Sequence, residues 1–145
     1  MYQMLYISRM TRWMKAEELE ALEVVCRHNN LRDHLTGCLV AWNGHFLQML
    51  EGDQALVEAA LERIEQDRRH TDVTVLQSGL IPLPRFRGWS MRLVNFDDPS
   101  EHVRRVLGRH PPLSIHSDYY HDPMLAFTLL YDVQYFLRDG VLHAA

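Results

Sequence analysis

Tyr6 and Gln48 carry the hydrogen-bonding chemistry that this sequence sets in apolar surroundings. Gln48 stands in Phe46-Leu47-Gln48-Met49-Leu50, and a buried carboxamide needs partners for both its donor and its acceptor ends. Tyr6 stands in a β-rich run, and a buried phenol usually finds a hydrogen-bond partner. Taken singly, Gln48 reads as a core residue that fixes register or bonds its neighbour strand, and a hydrogen-bonded Tyr6 alone implies no function. Asn29-Asn30 alone reads as a helix C-terminus, Asp67-Arg68-Arg69-His70 as a solvated charge run, and Trp89-Ser90-Met91 as an edge-strand aromatic beside a gap-filling thioether. The 9 histidines form no HExxH and no Cys/His pair with zinc-finger spacing. Cys26 and Cys38 read as buried thiols, and there is neither a Walker loop nor a GxGxxG turn.

The elements that position these residues follow from periodicity. Residues 2–8 predict a strand, with Tyr2, Met4, Tyr6 and Ser8 on one face and Gln3, Leu5 and Ile7 on the other. Over 16–27, Leu19, Leu22 and Cys26 recur at helical spacing, flanked by Ala21 and Val25, and Asn29-Asn30 ends the helix. Residues 35–42 and 45–51 predict strands joined by Asn43-Gly44, a type I′ hairpin signal. Asp53 is placed to cap a second helix along Leu56, Val57, Ala60, Leu61 and Ile64, ending near Asp67. Residues 73–78 predict a fourth strand, and after a turn with Pro82 and Pro84 a fifth runs from about 87 to 95, with Trp89, Met91 and Leu93 on one face.

The order βαββαββ is a split βαβ arrangement with an added strand. Asp98 as N-cap, Pro99 at N1 and Glu101 at N3 signal a further helix, striped by Val103, Val106 and Leu107 and ended by Pro111-Pro112. Asp122-Pro123 opens another, and residues 124–137 are apolar on most sides, which predicts contact with the sheet and with a second surface such as another subunit. The expected fold is α+β: a ferredoxin-like βαββαββ sheet with two helices on one face and a C-terminal helical cap on the other.

Composition bounds the function classes. A chain of 145 residues is one domain's worth, and 47% apolar with 23% charged residues is ordinary globular composition. The net charge of −4 argues against a general nucleic-acid binder. No apolar run approaches the ~18 residues of a membrane span, and the N-terminus lacks a signal-peptide pattern. With two unpaired cysteines, a cytoplasmic location is expected.

In their order and spacing, Tyr6-Ile7-Ser8, Asn30, Leu35-Thr36-Gly37, Phe46-to-Gly52, Arg63-Ile64, Asp67-to-His70, Arg85-Phe86 and Trp89-Ser90-Met91 resemble the BLUF domain, a blue-light sensor that uses a flavin. The resemblance covers residues 1–95 as the flavin-binding core, and 96–145 resembles the helical extension of short, stand-alone members, within the same compact domain. The family often has Gly where this chain has His34. The resemblance implies a non-covalent flavin between the helices that begin near Ala16 and Asp53, since no cysteine sits where an attachment is expected. FAD is placed first and FMN second, the two being hard to separate because the adenine end would project outward. Tyr6 matches the photoactive tyrosine and Gln48 the switching glutamine between it and the flavin. Asn30 matches the asparagine at the ring's polar edge and Asn29 the adjacent wall. Arg63 and Asp67 match positions near the pyrimidine edge and ribityl chain, and Arg69 and His70 join the cofactor-binding set. Leu22, Leu39 and Ile64 would supply apolar walls, and Trp89 and Met91 the fifth-strand pair tied to signalling.

The function so implied is a photoreceptor, not an enzyme. Light-driven transfer of an electron and a proton from Tyr6 would switch the Gln48 hydrogen bonds and signal to an effector protein, with a homo-oligomer expected. The competing reading is a flavin-free ferredoxin-like protein-interaction module, which the colour of the purified protein distinguishes. A small ferredoxin-like hydrolase would need a glycine-rich, Arg-bearing phosphate loop that the sequence lacks.

Overall fold

β1 (Tyr2–Met10) buries successive residues on both faces, as a strand covered on both sides must. The computed structural model describes residues 1–110 and 120–137. Beyond β1, the elements are α1 (Ala16–Arg32), β2 (Thr36–Trp42), β3 (His45–Gly52), α2 (Gln54–Gln66), β4 (His70–Leu80), β5 (Leu93–Asn95), α3 (Glu101–Leu107) and α4 (Pro123–Leu137). The sheet order is β4-β1-β3-β2-β5. Neighbours among the first four strands pair antiparallel, and β5 runs parallel to β2. Each split βαβ unit therefore leaves room for a strand of the other, which is the ferredoxin-like arrangement with one strand added.

The two faces of the sheet hold separate cores. Met4, Leu39, Phe46 and Leu50 pack with Leu19 and Leu22 of α1 and Val57 and Ala60 of α2. Leu5, Ile7, Val40, Leu47 and Met49 pack with Val103 and Val106 of α3 and Leu129, Leu130 and Val133 of α4. Two helices thus cover one face and the C-terminal pair the other, as the sequence predicts. Asn43 (φ 44°) and Gly44 (φ 77°) both take the left-handed conformation that a type I′ turn requires. His34 also sits there (φ 56°), where the resembled family often has Gly, and histidine is among the side chains enriched in that region.

Four boundaries differ most from the sequence expectation, beside β1, which runs two residues beyond 2–8. α1 continues to Arg32, so Asn29 and Asn30 lie inside the helix and Asp33 caps it. The helical cost of an asparagine is modest, and the Asn30 side chain gains a hydrogen bond to the Ser90 carbonyl at 2.6 Å. β4 is longer than 73–78 because β1 offers partners from Tyr2, opposite Leu80, to Met10, opposite His70. β5 shrinks to three residues because the chain before it turns: Trp89 N–H donates to Phe86 O at 3.0 Å around Gly88 (φ 84°). Only the Trp89 and Arg92 carbonyls, accepting from Gly37 and Leu39, anticipate the pairing with β2. α3 is capped by Ser100, whose hydroxyl accepts from Val103 N at 3.3 Å, rather than by Asp98. Pro111-Pro112 lies outside the described residues. Asp122 accepts from Met124 N at 2.9 Å and starts α4 as expected.

Candidate functional site

Between α1, α2 and the sheet lies a cavity of about 130 Å³. Tyr6, Leu22, Asn29, Asn30, Leu39, Gln48, Arg63, Ile64, Asp67, Arg69 and His70 all line it, so the sequence-derived cofactor set converges on one cleft. Val25, Cys26, Phe46, Leu50 and Ala60 line it as well. A signal for most of these was present: Phe46 and Leu50 share Gln48's strand parity, and Val25 and Cys26 precede Asn29 and Asn30 by one helical turn.

Tyr6 and Gln48 are direct cross-strand partners in the β1–β3 register, and both are buried. The Tyr6 hydroxyl donates to Gln48 Oε1. The other end of the amide, Nε2, faces the Met91 thioether, with Sδ 3.8 Å away, and meets no other acceptor among the described residues. The glutamine is therefore held firmly at one end and by a weak acceptor at the other. Burial pushes the Tyr6 phenol well above its ordinary pKa, with Cys26 and Asp67 adding to the rise, so it stays protonated. His70 links the rim to the sheet: it meets Ser8 Oγ at 2.9 Å through Nδ1 and the Ile64 carbonyl through Nε2. A carbonyl only accepts, so Nε2 carries a hydrogen, and in the neutral ring Nδ1 then accepts from Ser8.

The cleft's mouth is ionic. Arg63 pairs with Asp33 at 3.1 Å, and the Asp67 carboxylate, held below its usual pKa by Arg69, accepts from Arg69 Nε at 3.0 Å. Burial pushes the Cys26 thiol up to about 11, so it lines the wall as a protonated thiol.

Met91 and Trp89 do not share a face, contrary to the sequence expectation. Met91 is buried in the α1/α2-side core against Gln48, whereas Trp89 packs in the opposite core, tilted on Phe86 with ring centroids 5.9 Å apart. The Arg92 guanidinium lies 5.1 Å over its ring. An alternation rule holds for a regular strand, and residues 89–92 are not one.

The fold and the cleft define an α+β domain that buries a tyrosine–glutamine pair at the wall of a cavity between two helices and a sheet. The sequence matches the BLUF family, described as sensors of blue-light using FAD, over residues 1–92, and the chain belongs to that family. The photoactivated adenylate cyclase subunit beta of Euglena gracilis is 42% identical over 71 residues, which are 49% of this chain and 8% of that protein. A bacterial light-regulated adenylyl cyclase structure superposes with a TM-score of 0.66 at 30% identity, over 75% of this chain and 32% of that one. The dark-state structure of BlrB, a BLUF protein, gives a TM-score of 0.76 over 91% of this chain and 93% of that one; at 23% identity it shows the fold.

The residues present fit a flavin. Two apolar walls, from Leu22, Leu39 and Ile64, suit a flat ring, and Asn29, Asn30 and Arg63 suit its alternating polar edge. The buried Gln48 Nε2, with only a thioether for partner among the described residues, leaves donor capacity beside the opening. Among the described residues no three His, Cys, Asp or Glu side chains gather as a metal site, and no helix is long and apolar enough to cross a membrane.

Proposed function

We propose that this chain senses blue light through a bound FAD, with Tyr6 and Gln48 as the switch, and passes the change to a downstream effector protein. The carrying observation is the buried Tyr6–Gln48 hydrogen bond at the cavity wall, with Met91 at the amide's other end. Leu22, Leu39 and Ile64 would hold the ring's faces, Asn29, Asn30 and Arg63 its polar edge, and Asp67, Arg69 and His70 the ribityl side. Arg63, half exposed at the rim, suits a cofactor whose far end leaves the cleft, which FAD and FMN both satisfy. When bound, the flavin supplies blue-light absorption and a strongly oxidising excited state.

The protein's own part is proton and hydrogen-bond control. Tyr6 Oη holds its proton toward Gln48 Oε1, and burial keeps it there. The Gln48 amide can exchange its acceptor and donor ends without any change of charge. A buried hydrogen bond is worth a net ~1 kcal/mol, enough to bias a two-state element. Exposed Tyr135 and Met124 on α4 support contact with an effector or a second subunit, and the unpaired thiols suit the reducing cytoplasm.

Absorption spectra before and after blue light test the reading. The purified chain should carry a releasable flavin and show a small, reversible red shift. Tyr6→Phe and Gln48→Leu should each retain flavin and lose the shifted state. A colourless protein that takes up neither FAD nor FMN, or a normal shift in Gln48→Leu, overturns it.

A further inference from the structure

Several segments that the light switch leaves unused meet at one carboxylate. Glu51 is 1% exposed and lies on β3 three residues beyond Gln48, so its side chain enters the opposite face. Its oxygens accept from Gln3 Nε2 (2.9 Å), Thr36 Oγ1 (3.0 Å), Arg85 N (2.8 Å) and Phe86 N (2.9 Å). All four donors are neutral. Burying a charge among neutral donors is costly as a way to fill space. What the charge secures is the Arg85-Phe86 backbone, through hydrogen bonds about twice as strong as neutral ones.

From that anchor the chain has little slack. The Phe86–Trp89 turn closes at 3.0 Å, Trp89 O accepts from Gly37 N at 2.8 Å, and Ser90 O accepts from Asn30 at 2.6 Å. Met91 follows, against Gln48. The same turn touches α4: the Phe86 ring stacks on Tyr131 with centroids 6.2 Å apart, and Gln134 Nε2 donates to Arg85 O. We propose that Glu51 is a positioning residue that holds the Arg85–Trp89 turn as a stiff link, through which a change at the Gln48–Met91 contact reaches α4. The link rests on the reading of Gln48 as the light-driven switch.

The test uses the full chain with Glu51→Gln, and separately Tyr131→Ala combined with Gln134→Ala, which cuts the α4 side while leaving Glu51 in place. Hydrogen exchange is followed in the dark and after blue light, together with the dark recovery of the absorption spectrum. Glu51→Gln puts an amide N–H₂ where backbone amides need an acceptor. It should keep flavin and the red shift, speed dark exchange across 85–92 by about tenfold or more, and alter dark recovery. Both variants should lose the light–dark difference in residues 123–137 that the unmodified chain shows. If Glu51→Gln fails to fold, Thr36→Val, which removes one of the four donors to the carboxylate, takes its place in the same measurements. A wild-type light–dark difference in either folded variant, or none in the unmodified chain, overturns the link. Unchanged dark exchange at 85–92 in Glu51→Gln overturns it with or without flavin, whereas a red shift surviving Gln48→Leu overturns the switch reading instead.

Discussion

Gln48 Oε1 is engaged by a phenol, while its Nε2 has, among the described residues, only a thioether. Turning the amide over therefore gives up one strong interaction and one weak one, and the protein does not have to move a charge through its core. This pair was legible in the sequence because both residues sit on regular strands, where parity assigns the face. Trp89 was not, because alternation was extended through a turn that Gly88 permits. The clamp at Glu51 was also hidden, since its partners at residues 3, 36 and 85–86 meet only in the folded sheet. Close packing makes Gly37 the most exacting small residue nearby: an added Cβ would lie 2.0 Å from the Met49 carbonyl oxygen, a backbone atom that cannot swing aside. Gly37→Ala should cost roughly 3 kcal/mol, read as a lower urea midpoint at unchanged m-value; a midpoint equal to wild type would show that β2 and β3 have room between them.

At the scale of elements, α2 depends on its first turn more than on its propensity. Asp53 accepts from Ala55 N at 3.0 Å and Leu56 N at 3.4 Å, satisfying two of the backbone donors that a helix start leaves open. Asp53→Ala should remove about 1 kcal/mol of stability. Faster hydrogen exchange should be concentrated in residues 54–57, ahead of Arg63 and Ile64 in the cleft; unchanged exchange there would contradict the role of the cap. The sequence signalled this cap through one acidic residue after Gly52, and it signalled the hairpin through Asn43-Gly44. It misplaced the end of α1 because Asn30 takes a long-range partner, Ser90, that no local rule contains. It lengthened β5 for the converse reason: residues 89–92 look like a strand locally but are held by single bonds to β2 and α1.

Across the whole molecule, burial sets the response to alkali. The Tyr6 phenol is held well above its usual pKa by burial, and burial raises the Cys26 and Cys38 thiols to about 11 and about 12. An unfolded chain releases these protons near ~8.5 for thiols and ~10 for a phenol. Above those values the folded state binds more protons than the unfolded one, so stability falls as pH rises, by up to ~1.4 kcal/mol per pH unit for each group. The contribution is fully present below the unfolded values. The urea midpoint should hold steady up to about pH 8 and fall between about pH 9 and 11, and Cys38→Ser should make that fall shallower; a pH-independent midpoint would show that these groups titrate alike in both states.

The position of β1 has a further consequence, for synthesis. It precedes both of its neighbours in the chain yet lies between them, with Tyr2 opposite Gly52 on one side and Leu80 on the other. On a ribosome adding ~5–20 residues per second, the strand that carries Tyr6 waits for several seconds without its second partner. Meanwhile the helices and the β2–β3 hairpin, whose contacts are local, can already form. The cleft cannot close before His70, its last lining residue, has emerged, so the nascent chain must keep a nine-residue, largely apolar strand out of wrong pairings first and acquire its chromophore afterwards.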